Sequence, residues 1–387
     1  MRVLKSVWQY YAPDERTLFF LNQFRLIVNE CIRVGLAENL TSLRSLYGRL
    51  SQYDLYSKHK LCAINAARGI LRNYRKAKRK NPRTKEPYAR RLRLTSCYDV
   101  EIQDDMLILP LKAKESLRIP LTSHVQTSIA NFQVRSVTLT ENTLSIAYAK
   151  DVQEIRPKGF VGIDRNLDNV TIAASDGTLV QHDLSESTRV KARYRELRSH
   201  FKRNDARICR RVSQKYGRKQ YEKVKQILHH ASKRIVMEAK EKQYAIVMEK
   251  LTGIRKLYRR GNGQGRWYRG RMNSWSHDQL RRQIEYKAKW LGLPVITIPP
   301  RGTTSKCSIC GQKMRPEENR MLRCPSCGYR VDRDVNAARN ILEAGRLRFD
   351  LIDLASEGVV REPSRQEVIP KLDARKLTLW RVDRTLR

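Results

Sequence analysis

Four cysteines in two CxxC pairs, Cys307/Cys310 and Cys324/Cys327, carry the strongest chemical signal in the chain. Each pair places two thiolates on one tight turn, and two such turns can close a tetrahedral zinc site made of four cysteines. Gly311 and Gly328 follow the second cysteine of each pair, where glycine lets the backbone turn its amides toward the sulfurs. Four thiolates complete the coordination, so the expected ion is a single structural Zn2+ with no open position. Directly behind the knuckles comes DRDVNAARNI, which reads as a helix start with an acid, Asp334, at the end where the dipole favours negative charge. Two further acids close predicted buried strands: Asp164 after FVGI and Glu249 after YAIVM. Alone, a strand-end acid is commonly a turn former and a helix-start acid a cap.

The elements between these acids decide whether they can meet. After Pro157-Lys158-Gly159 the pattern gives a buried strand at 160–163, a second strand VTIAAS, a turn at Asp176-Gly177 and a third strand TLVQHDL. Residues 185–240 form a basic helical region with 18 Lys and Arg against five acids. A strand at 244–248, a Gly/Arg-rich loop, a helix over 276–291 and the strand PVITIPP precede the knuckles and the last helix. This order of strands and helices is that of the RNase H-like fold. There the fourth strand neighbours the first and the last helix packs across the same edge, so Asp164, Glu249 and Asp334 are expected at one point. Clustered carboxylates repel unless cations neutralise them. Hard oxygen ligands select Mg2+ or Mn2+. Two such ions ~3.5–4 Å apart can activate water and stabilise the leaving oxygen in phosphodiester hydrolysis. Asp332, two residues before Asp334, competes for the metal role or serves as a cap, and Asp168 reads as a solvated turn acid.

The N-terminal half reads differently. Residues 3–11 form one predicted strand, and helical periodicity follows from Glu15 to about Arg79, with further helices at 40–52 and 59–79. From about Arg91 to Lys150 short strands recur (RLRLTS, DVEIQDDMLILPL, ESLRIPL, FQVRSVTLTE, NTLSIAYAK), as in a small β-barrel or sandwich. The first strand can join them, which makes the helical block an insertion. Across 387 residues, 79 Lys and Arg face 39 acids, a formal charge of +40 that calls for a polyanionic partner, nucleic acid above all. There is no apolar run of membrane-spanning length and no signal-peptide core, and the scattered Cys31, Cys62, Cys97 and Cys209 suit a reducing cytosol, here a prokaryotic cytoplasm.

The segments VGIDRNLDNVTI, AIVMEKLTGIRK, SWSHDQLRRQIEYKAKWLGLPVITIPPRGTTSKCSICG and CPSCGYRVDRDVNAARNI, in this order, resemble the TnpB (OrfB) family of transposon-encoded RNA-guided DNA endonucleases, related to type V CRISPR effectors. The resemblance spans about residues 160–341; the N-terminal half matches by organisation only. It implies a multidomain α+β protein: a β-barrel-like wedge domain (1–12 and 90–156) interrupted by a helical recognition domain (13–89), and an RNase H-like RuvC nuclease domain (157–302 and 329–345). A zinc-ribbon target-nucleic-acid-binding insertion (303–328) and a C-terminal tail (346–387) complete it. It implies that Asp164, Glu249 and Asp334 are the catalytic triad holding Mg2+ or Mn2+, that Cys307, Cys310, Cys324 and Cys327 hold Zn2+, and that residues 252–275 are the lid loop. The family's RDxNAA motif favours Asp334 over Asp332. Many relatives carry Gly where this chain has Asn166, a residue that tolerates left-handed backbone. The partners implied are a guide RNA and a double-stranded DNA target, with no membrane, in a monomeric ribonucleoprotein; base pairing would carry sequence specificity. The alternatives are a guide-dependent DNA-binding regulator that does not cut, and a guide-independent nuclease or transposition accessory protein. A relaxase-type transposase would need a catalytic Tyr and a paired-His metal motif, and the one adjacent pair, His229-His230, sits in a basic helix without that context.

Overall fold

The computed structural model describes residues 1–40, 44–112, 114–201, 203 and 205–356, in two compact units that divide between Asp151 and Val152. In the first unit, β1 (Arg2–Tyr10) alternates exposed and buried residues, as a strand with one covered face must. Asp14 caps α1 (Glu15–Ala37) by accepting from the Thr17 amide at 2.8 Å. Leu21, Phe24, Ile27, Val28 and Cys31 form its buried stripe, and α1 packs against α2 (Ser57–Lys80). The helix expected over 40–52 is instead two short 3-10 turns, Arg44–Leu46 and Gly48–Leu50. Residues 41–43 lie outside the described part. Gly48 and the serines around it disfavour a longer helix, and of the two turns Leu46 and Leu50 are the residues that reach the core.

The strands that follow are β2 (Arg93–Ser96), β3 (Glu101–Gln103), β4 (Met106–Lys112) and β5 (Glu115–Pro120), then a short helix α3 (Ser123–Ile129), β6 (Gln133–Thr140) and β7 (Thr143–Asp151). They form two antiparallel sheets, β1-β7-β6-β2 and β3-β4-β5. The first strand does join the later ones, running from Arg2↔Asp151 to Tyr10↔Thr143 against β7. The single strand expected across 99–111 breaks into a hairpin at Asp104 and Asp105, both left-handed with φ of 47° and 62°. Short acids are among the few residues that accept that conformation. The helix α3 falls in a stretch read as turn residues between strands.

The second unit is built on one five-stranded sheet. Its strands are β8 (Gly159–Arg165), β9 (Asn169–Ala174), β10 (Leu179–Asp183), β11 (Tyr244–Glu249) and β12 (Val295–Ile298), in the order β10-β9-β8-β11-β12. β8 and β12 both run parallel to β11, β9 runs antiparallel to β8, and β10 antiparallel to β9. β8 is buried along its whole length, as expected of a strand covered on both faces. The helices are α4 (Ser185–Ser199), α5 (Ala206–Glu241), α6 (Arg266–Asn273), α7 (His277–Trp290) and α8 (Arg333–Ser356). On one face Ile163, Ile246 and Met248 pack with Leu228, Ile235 and Val236 of α5 and Leu280 and Ile284 of α7. On the other, Phe160, Val247, Ile296 and Ile298 pack with Ile341 of α8. The basic region 185–240 is helical as expected, in the two helices α4 and α5. The loop 252–275 contains a 3-10 turn at Ile254–Tyr258 and α6.

Between β12 and α8 stands a small antiparallel sheet, β13 (Arg315–Pro316), β14 (Met321–Arg323) and β15 (Arg330–Asp332). β15 leads into α8 with no residue between them, and α8 continues unbroken past 345. Residues 346–356 of the expected tail therefore extend this helix, and 357–387 lie outside the described residues.

α8 lies so close to the sheet that side chains are excluded at two places. A Cβ on Gly162 would sit 2.5 Å from the Leu342 amide nitrogen and closer still to the Ala338 carbonyl, and one on Gly345 would collide with Val247. Backbone cannot move aside as a side chain can. Gly162→Ala should destabilise the protein by about 1–3 kcal/mol, the usual cost of overpacking a core. Gly270→Ala in α6, where nothing lies within 4 Å, should be neutral. Equal melting temperatures for the two variants would refute this close helix–sheet contact.

Candidate active site

Parallel pairing of β8 with β11 aligns Ile163 with Met248, so the next residues of the two strands, Asp164 and Glu249, emerge at the same end of the sheet. α8 begins at the same place. Asp332 is its cap: its Oδ1 accepts from the amides of Asp334 at 2.8 Å and Val335 at 3.2 Å. Of the two neighbouring acids, one is committed to the backbone and the other, Asp334, turns its carboxylate inward, 3 % exposed. Asp164 and Glu249 are each 8 % exposed.

Asp164 feels both of the other acids. Burial, then the negative charges of Glu249 and Asp334, push the Asp164 carboxyl up to about 7. Burial raises Glu249 as well, against a hydrogen bond from Thr303 Oγ1 to its Oε1 (2.5 Å) and the positive charge of Arg165. Arg165 is itself buried and donates to the backbone carbonyls of His277 (2.9 Å) and Glu249. It thus binds the start of α7 to the β11 end. Asp334 pairs with Arg320, whose side chain is 56 % exposed on the turn between β13 and β14. Asn319 and Arg320 there are left-handed, with φ of 54° and 64°.

Asn166 is not among the left-handed residues. It acts through its side chain instead: Nδ2 donates to Asp164 Oδ2 and to Asn169 Oδ1, both at 3.0 Å, and the indole of Trp275 donates to its carbonyl at 2.8 Å. Asp168 is a partly exposed turn acid that has a partner. It is paired with Arg271 of α6, with its Oδ1 buried and unbonded. The sequence reading missed Thr303, Arg320 and Arg165. Arg165 had a signal, since a cation directly after a strand-end acid in a buried run needs a partner; the other two reach the site only through tertiary structure.

The cysteines converge. Cys307, Cys310, Cys324 and Cys327 place their sulfurs within 4.8 Å of one another, the tightest set of His, Cys, Asp and Glu ligand atoms among the described residues. The three carboxylates are not drawn that close together. Cys307 Sγ lies 3.7 Å from Cys327 Sγ, and Cys310 Sγ 3.4 Å from Cys324 Sγ. Those separations are far beyond a disulfide bond of about 2 Å and near the ~3.8 Å edge of a tetrahedron with metal–sulfur bonds of ~2.3 Å. The knuckles are twins: Gly311 N donates to the Cys307 carbonyl (2.9 Å) and Gly328 N to that of Cys324 (3.0 Å), with φ of 75° and 72°. α8 holds the first knuckle. Asn336 Nδ2 donates to the Lys306 carbonyl at 2.7 Å and its Oδ1 accepts from the Ser308 amide at 3.0 Å, while Asn340 donates to the Thr303 and Lys306 carbonyls.

The titration of Asp164 has a measurable consequence. An unfolded Asp titrates near ~3.9 and the folded one near about 7, so its protonated form is the one that favours folding. That contribution is complete below about pH 4 and is lost as the pH rises through about 7. In magnesium-free buffer, Asp164→Asn should raise the melting temperature at pH 8 and leave it unchanged at pH 4. An Asn variant with no gain at pH 8 would show that the three carboxylates do not share a buried site.

A family model described as the Cas12f1-like TNB domain matches residues 277–341, the span from α7 through the knuckles into α8. The chain is 31% identical over 221 residues to "TnpB-like protein MJ0751" of Methanocaldococcus jannaschii, a match covering 55% of this chain and 78% of that protein. It is 35% identical over 100 residues to the "Putative RNA-guided DNA endonuclease InsQ" of Escherichia coli, covering 25% of this chain and 24% of that one. It is 37% identical over 118 residues to the "CRISPR-associated endodeoxyribonuclease Cas12f1" of Sulfoacidibacillus thermotolerans, covering 29% and 25%. The match thus spans only about a quarter of the length of each of these last two relatives. Among solved structures, the cryo-EM structure of the Cas12f1–sgRNA–target DNA complex superposes with a TM-score of 0.57 at 14% identity over 84% of this chain and 82% of that chain, a likeness of fold. With 31% identity across 78% of the M. jannaschii protein, the chain belongs to the TnpB family, related to type V CRISPR effectors.

Proposed function

We propose that this protein is an RNA-guided DNA endonuclease of the TnpB type, with Asp164, Glu249 and Asp334 as the RuvC catalytic residues. The observation that carries the reading is the burial of three acids far apart in sequence, at the adjoining ends of two parallel strands and the first turn of a helix, with Glu249 and Asp334 both raising the Asp164 carboxyl. Buried like charges are unfavourable without countercharge. Here Asp334 has Arg320, while Asp164 and Glu249 have Arg165 nearby but accept neutral hydrogen bonds from Asn166 and Thr303. An all-oxygen donor set of this kind suits Mg2+ or Mn2+ rather than a soft metal. Bound there, such ions supply an activated water and stabilise the leaving oxygen of a phosphodiester. Asn166 and Thr303 each fix one carboxylate oxygen and leave the other lone pairs free. The cap on Asp332 sets the angle at which α8 presents Asp334. In this reading residues 1–12 and 90–156 form the wedge, 13–89 the recognition domain, 157–302 and 329–345 the RuvC domain, and 252–275 the lid over its site. Guide RNA and target DNA are the polyanions that a charge of +40 serves.

Asp164→Ala and Glu249→Ala should each lower Mg2+-dependent cleavage at least about a thousandfold, in keeping with the loss of a group central to the chemistry, and leave RNA binding within about twofold. The decisive measurement is reconstitution with the RNA that copurifies with the protein. Replacing only its guide segment should move the cut to the newly matching DNA. A cut that stays in place, or one made without RNA, points to a guide-independent nuclease, and binding without any cut to a regulator.

The second metal expected is one Zn2+ per chain on Cys307, Cys310, Cys324 and Cys327. Elemental analysis of reduced, freshly purified protein should give one zinc, and Cys324→Ser should lose it together with solubility. A zinc-free preparation that melts as the holoprotein does would overturn this assignment.

A further inference from the structure

The end of the loop 252–275 is fastened to the turn that joins β8 to β9. Arg271 of α6 pairs with Asp168, and the indole of Trp275 donates to the Asn166 carbonyl at 2.8 Å. Just beyond the loop, Lys191 of α4 donates to Ser276 at 2.8 Å. Neither the 3-10 turn at Ile254–Tyr258 nor α6 contributes a buried residue. The loop therefore has no core of its own, and its seating depends on these few bonds. Neither the Asp168 pair nor the Ser276 bond involves Asp164, Glu249 or Asp334. The bond from Trp275 is different, because Asn166 goes on to Asp164.

Asn166 is held on both sides. Its Nδ2 carries two hydrogens, and both are used, one on Asp164 Oδ2 and one on Asn169 Oδ1, each at 3.0 Å. Its backbone amide donates to the Asn169 carbonyl at 2.9 Å. The carbonyl that receives Trp275 and the side chain that holds Asp164 are thus fixed in one closed turn and move together. Of the two Asp164 oxygens, Asn166 takes up one, and the bond orients the carboxylate as partners behind a ligating group do. A glycine at 166, as in many relatives, has no side chain with which to make this link.

We propose that Trp275 and Asn166 are positioning residues that couple the lid to Asp164: a seated lid orients the carboxylate for a cation, and a cation on the acids keeps the lid seated. The proposal rests on the reading of Asp164, Glu249 and Asp334 as the metal-holding acids and adds what the lid does to them. The direction of the effect follows from the geometry. The Asn166 bond and a cation on the acids both require the Asp164 carboxylate in a fixed orientation, so each reduces the ordering that the other must impose. Coupling of this kind is reciprocal. When the lid lifts, the Asn166 carbonyl loses Trp275 and the turn loses Arg271, which frees the amide that holds Oδ2.

The test is hydrogen exchange of the full chain, with and without Mg2+ at a concentration that saturates the rise in melting temperature it produces. Mg2+ should slow exchange of the lid amides 254–275 about fivefold or more, the lower end of the usual coupling between two sites. In Asn166→Ala and in Trp275→Phe that slowing should vanish; phenylalanine keeps a ring and lacks the donor. Arg271→Gln should speed lid exchange in both buffers and leave the ratio between them as in the parent. Glu249→Gln should remove both the rise in melting temperature and the slowing. A purely structural role for Asn166 predicts faster exchange by the same factor in the two buffers, and that result overturns the proposal. So does a lid that exchanges alike with and without Mg2+ while the ion still raises the melting temperature, or a slowing that survives in Glu249→Gln. No effect of Mg2+ on the melting temperature of the parent is a different result: it removes the reading of the three acids as a metal site, and the coupling with it.

Discussion

Three carboxylates buried within reach of one another's charge are costly to maintain, and much of the second unit exists to impose that arrangement. The parallel alignment of β8 and β11 sets Asp164 beside Glu249. Arg165 lies between them and the start of α7, giving up its own solvation and falling to a pKa of about 10 as burial disfavours its charge. A cation that deep in a protein is tolerated when charges of the opposite sign surround it. Here they do, so the acids and Arg165 stabilise one another's presence. Glycine at 162 lets α8 come down onto the strand and deliver the third acid.

The cysteine hairpin and the carboxylate cluster are mechanically one object. Asn336 and Asn340 of α8 grip the backbone of the first knuckle, Thr303 bonds Glu249 at the entrance to that knuckle, and Arg320 on the hairpin turn answers Asp334. The ligand set on sulfur therefore fixes the position of side chains that border the acids. Four thiolates would leave a tetrahedral ion no free position, so an ion held there would have a structural role.

How much of this was legible follows from where each residue draws its signal. The knuckles are local, within CxxC turns, and their sulfurs converge as the spacing requires. Asp164, Glu249 and Asp334 were readable because buried strands announce their ends and the order of elements constrains which ends adjoin. Asp332 was readable as a cap because capping is a contact between close neighbours in sequence. The side-chain role of Asn166 was not legible, because backbone tolerance and side-chain reach are different properties of one residue, and the sequence does not say which is in use. The partner of Asp168 and the loss of the helix expected at 40–52 were hidden for related reasons. A partner 103 residues away, Arg271, turns a surface acid into half of an ion pair, and a helix with few core contacts yields to its Gly and Ser residues.

The unbroken run from β15 into α8 has a consequence for how such chains vary in length. Asp334 serves the acids, Asn336 and Asn340 the knuckle, Ile341 the sheet and Gly345 the closest approach to Val247, all from one rigid helix. A helix advances about 100° per residue. One residue inserted between Asp334 and Gly345 would turn every side chain on one side of it through that angle, and no local adjustment could restore both ends. The separation from Asp334 to Gly345 is therefore a fixed length in the molecule.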